Sequence, residues 1–156
     1  MKEFPYGIGE PALNIEEADK ALDEYFAIAK AAGIRTCLAF GLCLGFKRDG
    51  GYIPGDNDLD MVAVADLPTP DFHDGLIAAG FIKGQAFPAP QRNIHYHRGK
   101  IMVDIFFRKS GEYYKEFDTV SYKGKTYSVP HPIEEYLGAC YSDWKVKSDE
   151  VGKCSV

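Results

Sequence analysis

The chain has 156 residues, 46% hydrophobic and 26% charged, a balance that supplies the core of one compact domain and disfavours disordered or fibrous architectures. Eighteen Lys and Arg against 23 Asp and Glu give a formal charge of -5, the wrong sign for holding a polynucleotide by phosphate neutralisation. Nucleic acid is therefore not an expected partner.

No repeat, low-complexity tract or Pro/Ser-rich linker divides the sequence, so a single domain over 1–156 is expected, with its core over about 14–146. The longest apolar stretch, Thr36 to Phe46, is broken by glycine and falls short of the roughly 20 residues of a membrane-spanning helix. Met1 to Gly7 lacks a basic start followed by an apolar run, which makes a cytoplasmic location the expectation. Cys37, Cys43, Cys140 and Cys154 contain no Cys-x-x-Cys pair and read as reduced thiols.

Asn14 followed by Glu17 has the form of a capping box, and Ala18, Leu22, Tyr25, Phe26, Ala29 and Ala32 recur at helical spacing up to Gly33. This predicts the first helix. Ile34 to Phe40 reads as a short strand, entering a turn and short helix at Gly41–Arg48. Beyond the loops at Gly50-Gly51 and Pro54-Gly55, Asp58 to Val64 reads as a buried strand with an acidic start. A second helix is predicted from Pro70 to Ala79 and a strand from Phe81 to Phe87. Asn93–Arg98 and Ile101–Arg108 flank a Gly99-Lys100 turn, and a further hairpin around Gly124 joins Val120–Tyr122 to Thr126–Val129. A last helix runs from Pro132 to about Tyr141. Helices at both ends with hairpins between them predict an α+β domain of the two-layer kind.

The residues with most chemical content are acidic. Along a strand the side-chain period is two, so Asp58 and Asp60 share a face, about 6 to 7 Å apart at Cα, and can reach one cation. Asp104, inside the apolar run Ile101–Phe107, can join them from a neighbouring strand. A buried carboxylate costs several kcal/mol unless paired or bound to metal. Carboxylates uninterrupted by Cys or His favour Mg2+ or Mn2+. An EF-hand starting at Asp56 fails, because Met61 stands where glycine is needed and Leu67 where glutamate should chelate. The other reading has Asp56 and Asp58 capping a turn while Asp104 pairs with Arg48, Arg92 or Arg108.

Gly41 and Gly45 allow a backbone to approach a phosphate closely, and Arg48 can add a charged fork or stay a solvated surface charge. Gln91 to Lys109 is locally basic. Within it Arg92, His95 and His97 are possible substrate contacts, as is Asp56 in the acidic run.

Gly41-Leu42-Cys43-Leu44-Gly45-Phe46-Lys47-Arg48, continued through Gly51–Pro54 to Asp58-Leu59-Asp60, resembles the signature of the LicD/fukutin family. A second block, Ser128–Pro130 followed by Glu134-Glu135-Tyr136-Leu137 and Tyr141–Trp144, is similar to that family's C-terminal signature, so the resemblance spans roughly 16–146. It implies a polymerase-β-type nucleotidyltransferase fold, a small mixed sheet flanked by helices with three metal-binding carboxylates on adjacent strands. By position, Asp58 and Asp60 match the metal-holding Asp-x-Asp, Asp104 the third carboxylate, and Gly41, Leu42 and Gly45 the phosphate-side turn. The implied activity is Mg2+-dependent transfer of a phospho-alcohol such as phosphocholine from a cytidine diphosphate donor to a sugar or other hydroxyl acceptor. Two alternatives accompany it: nucleotidyl transfer from a nucleoside triphosphate with pyrophosphate release, and a non-catalytic nucleotide- or sugar-binding module. Leu42 departs from a usual Thr or Ser, and Asn57 interrupts what is often an acidic triplet.

Overall fold

The computed structural model describes residues 13–109 and 111–146. Helix α1, Ile15–Ala31, begins as its sequence predicts, with Asn14 Oδ1 accepting the Glu17 N–H at 3.0 Å. Its stripe of Ala18, Ala21, Leu22, Tyr25 and Ala29 is buried, and Gly33 takes the left-handed conformation just beyond its end.

Strand β1 is Thr36–Leu38, shorter than the Ile34–Phe40 predicted, because the chain turns at Ala39 into α2, Phe40–Leu44. A π-helical turn, Gly45–Asp49, follows directly. Then come β2 (Asp58–Val64), α3 (Pro70–Ala78), β3 (Ile82–Phe87), β4 (Asn93–Arg98) and β5 (Ile101–Arg108). Thr69 accepts from the Phe72 N–H at the start of α3, with Pro70 in the first turn, where a missing donor costs nothing. The chain ends with β6 (Phe117–Tyr122), β7 (Lys125–Pro130) and α4 (Ile133–Tyr141).

Five strands form one sheet in the order β1-β2-β5-β4-β3, in which β2 and β5 run parallel and the other neighbours antiparallel. This is the small mixed sheet flanked by helices that was expected. Alternation sends Leu59, Met61, Val103, Ile105 and Tyr96, all fully buried, to one face. There α1 and α3 cover them: the Tyr25 hydroxyl meets Thr36 Oγ1 at 2.6 Å, Tyr25 lies edge-on to Phe72, and His73 Nδ1 bonds the Tyr96 hydroxyl. Burying each such large side chain contributes about 1.5–3 kcal/mol. On the opposite face α2 and α4 reach the sheet at Phe106, where Phe40 packs edge-on at 4.7 Å and Tyr136 stands behind it.

The β6–β7 hairpin forms a separate two-stranded sheet. Its turn residues Lys123 and Gly124 both have positive φ, as a type I′ turn requires. Asp19 of α1 accepts from the Tyr52 and Tyr122 hydroxyls and from Lys123, while Asp23 accepts from Tyr127 and Lys125. The Phe46 ring fills the space between Tyr52, Tyr122 and Tyr127. Cys37 and Cys43 are free and buried, whereas Cys140 is disulfide-bonded, which corrects the expectation of reduced thiols throughout. That pairing is a long-range property that the spacing of cysteines in the sequence does not carry. Among the described residues no helix is long and apolar enough to cross a membrane.

At the start of α4, Asp118 accepts the Ile133 N–H and meets His131 Nδ1 at 2.9 Å. The hydrogen bond with Asp118 raises the pKa of His131, and the same bond lowers that of Asp118. A raised imidazole contributes stability below its unfolded value and loses it as pH rises through the folded one; a lowered carboxyl contributes above its unfolded value and loses it as pH falls. Wild type should therefore melt slightly above His131→Gln in mildly acidic buffer, a small difference because the pair is only half-buried and water screens it. The gap should close in alkaline buffer, and melting curves showing a constant gap would contradict this origin.

Candidate active site

Three carboxylates converge on the sheet face that also carries α2 and α4. The parallel pairing of β2 with β5 sets Asp60 directly opposite Asp104, and the period of two puts Asp58 on the same side. Each of Asp58, Asp60 and Asp104 offers an oxygen within 4.8 Å of the others. Asp58 and Asp104 are 2% exposed, so water screens little of their charge. Oxygens around one Mg2+ at about 2.1 Å lie roughly 3 to 4.2 Å apart, so a slight contraction of this trio suits a hard divalent ion. The donor set, three carboxylates without thiol, fits Mg2+ or Mn2+.

Strand β4 holds Asp104. Asn93 of β4 donates through Nδ2 to Asp104 Oδ1 at 2.8 Å, and His95, in register with Asp104, brings Nε2 to 3.6 Å from the same oxygen. Phe87 packs on the His95 ring. His97 shares the face of His95 but is exposed and lies over Gly84, where an added Cβ would come within 2.8 Å of His97 Nε2. The sequence does not mark Asn93 as a site residue; its one visible signal is the Asn93-x-His95-x-His97 alternation. Asn93→Ala should weaken Mn2+ binding by about 10- to 100-fold, the usual cost of losing a group that orients a metal ligand, with little change in melting temperature. Titration of both proteins with Mn2+, read by its electron paramagnetic resonance signal, checks this, and equal affinities would refute it.

The turn after β1 closes the site from the other side. A Cβ at Gly41 would lie 3.4 Å from Asp56 Oδ2 and 3.8 Å from Asp60 Oδ2, so both acidic groups face this glycine. Asp56 is buried, and its Oδ1 accepts the Asn57 N–H. Gly45 has a different reason to be glycine: a Cβ there would stand 2.5 Å from the Gly51 carbonyl oxygen and 3.1 Å from the Ile53 nitrogen. The Leu42 side chain is buried in the core, which leaves only its backbone to face a ligand. Arg48 is not an open fork. Its guanidinium grips Asp49 at 2.9 and 3.0 Å and reaches the Trp144 carbonyl at 3.4 Å. Arg92 faces Asp66 at 3.9 Å on a cavity of about 640 Å3, and Arg108 donates to the carbonyls of Gln91 and Phe107. The arginine partners considered for Asp104 are thus engaged elsewhere. Tyr141 of α4 borders the site: burial first, then the charges of Asp60, Asp56 and Asp58, push its phenol up.

No family model matches the sequence, and no curated protein matches it. Solved structures do. The lincosamide antibiotic adenylyltransferase LnuA, with lincomycin bound, superposes with a TM-score of 0.59 at 14% identity, over 86% of this chain and 90% of that one. ANT(2'')-Ia in complex with adenylyl-2''-tobramycin superposes with a TM-score of 0.54 at 11% identity, over 71% of this chain and 67% of that one. The chain therefore has the polymerase-β-like nucleotidyltransferase fold.

Proposed function

We propose that the protein is a metal-dependent nucleotidyltransferase, moving a nucleoside monophosphate from a nucleoside triphosphate to a hydroxyl of a small acceptor. The observation that carries this reading is the convergence of Asp58, Asp60 and Asp104 on one face of a sheet of this fold. Those three side chains would hold Mg2+ or Mn2+, which when bound neutralises phosphate charge and acidifies a nearby hydroxyl. Asp104, steadied through Oδ1 by Asn93, accepts the proton of the acceptor hydroxyl. The acceptor oxygen bonds to the α-phosphorus as the bond to the β-phosphate oxygen breaks, and pyrophosphate leaves. Gly41 keeps the space beside Asp56 and Asp60 clear for the phosphates. Leu42 contributes backbone alone, Gly45 and Arg48 shape the turn, and His95 and His97 line the acceptor side of the sheet.

A second reading rests on the sequence blocks that resemble the LicD/fukutin family: the same carboxylates would serve transfer of a phospho-alcohol from a cytidine diphosphate donor to a sugar hydroxyl. Product analysis separates the two. Incubated with Mg2+ and hydroxyl acceptors, the protein should release pyrophosphate from a nucleoside triphosphate; CMP from cytidine diphosphate alcohols would favour the second reading. Nucleotide binding that is indifferent to Mg2+, with no product from either donor, would leave a non-catalytic binding module.

A further inference from the structure

The sequence block around Tyr136 has no part in the reaction just described, yet its hydroxyl touches the turn that borders the metal site. Phe40, the first residue of α2, has φ +44°, a region that bulky residues adopt only where their surroundings impose it. Its N–H donates to the Tyr136 hydroxyl at 3.0 Å. Tyr136 is fully buried and is held edge-on by Tyr113 at 5.5 Å and Tyr114 at 6.4 Å, so this acceptor cannot follow the turn if the turn relaxes. On either side of Phe40 the chain is tied to Asp60. The Ala39 N–H donates to the Asp60 carbonyl oxygen at 2.9 Å, and Gly41 lies against the carboxylate oxygens of Asp56 and Asp60.

We infer that Tyr136 is a positioning residue for the metal site: its hydroxyl holds Phe40 in the left-handed conformation, and that conformation seats Gly41 against Asp60 and Asp56. This rests on the proposed metal-dependent reading. A phenylalanine at 136 keeps the packing and removes the hydroxyl that accepts from Phe40. With its N–H unanswered, Phe40 returns toward an ordinary conformation and displaces Gly41. Glycine at 40 adopts positive φ without strain, so it should make the Tyr136 hydroxyl unnecessary.

The experiment is Mn2+ titration, read by electron paramagnetic resonance, of wild type, Tyr136→Phe, Tyr136→Phe/Phe40→Gly, Asp60→Asn and Tyr127→Phe, each shown to be folded by circular dichroism. Tyr127→Phe is the control, since it also removes one hydroxyl hydrogen bond, to Asp23, remote from the carboxylates. Tyr136→Phe should bind Mn2+ about tenfold more weakly, Tyr127→Phe as wild type, and the double variant should recover most of the loss despite losing the Phe40 ring. Unchanged affinity in Tyr136→Phe, or no recovery in the double variant, would overturn the role of Tyr136 while leaving the metal site standing. Failure of wild type to bind Mn2+, or wild-type binding by Asp60→Asn, would overturn the site itself and this inference with it.

Discussion

Asp60→Asn should reduce nucleotidyl transfer by about 10²- to 10³-fold, the size of effect seen when one preorganised charge-stabilising group is removed from an active site. The substitution is nearly isosteric, and Asp60 is only partly buried, so the fold should persist. Its thermal behaviour is equally diagnostic. Without metal, neutralising one of three carboxylates whose oxygens lie within 4.8 Å of each other lowers their mutual repulsion, so the variant should melt at or above wild type. With Mn2+ in excess, wild type should gain melting temperature through ligand binding to the folded state and Asp60→Asn should not. A variant that retains activity and is stabilised by Mn2+ as wild type is would show that Asp60 holds no ion.

Gly45→Ala should be the most destabilising small substitution in the turn, whereas Gly41→Ala should fold well and lose activity. At Gly45 the new methyl meets backbone, the Gly51 carbonyl at 2.5 Å and the Ile53 nitrogen at 3.1 Å, and backbone in a tight loop cannot swing aside. Overpacking of this kind costs about 1–3 kcal/mol or more. For a chain of this size that corresponds to a drop of roughly 2–12 °C in melting temperature. At Gly41 the nearest atoms are carboxylate oxygens at 3.4 and 3.8 Å, ordinary contact distances, so the methyl fits but occupies the space beside Asp56 and Asp60. Calorimetry and activity measured side by side separate the two glycines. Equal melting temperatures for the two variants would refute the packing account of Gly45.

The elements that carry the carboxylates were readable because their signals are local. Asp58–Val64, Asn93–Arg98 and Ile101–Arg108 are apolar or alternating runs bounded by glycine- or proline-containing segments, and the structure gives them those same limits. That Asp104 would meet Asp58 and Asp60 was an expectation from burial and from family resemblance. The parallel register that achieves it, Asp60 opposite Asp104, depends on a pairing across the chain that no local pattern specifies. Three features escaped for related reasons. Phe40 was read as strand because it extends an apolar run, and nothing beside it marks a left-handed residue held by Tyr136, 96 positions away. Arg48 reads in the sequence as either a phosphate fork or a solvated surface charge, and neither reading contains the π-helical turn that folds its guanidinium onto the adjacent Asp49, residues that do not face each other on an ordinary helix. Asn93 meets Asp104 only through the pairing of β4 with β5, which no local pattern specifies.

Nucleotidyl transfer and phospho-alcohol transfer by this protein would both need one ion on Asp58, Asp60 and Asp104, so locating that ion is the most direct test. Crystals grown with Mn2+ and recorded near its absorption edge should show an anomalous peak bonded to carboxylate oxygens of Asp58, Asp60 and Asp104. A peak held by other residues, or none at a Mn2+ concentration that raises the melting temperature, would contradict it.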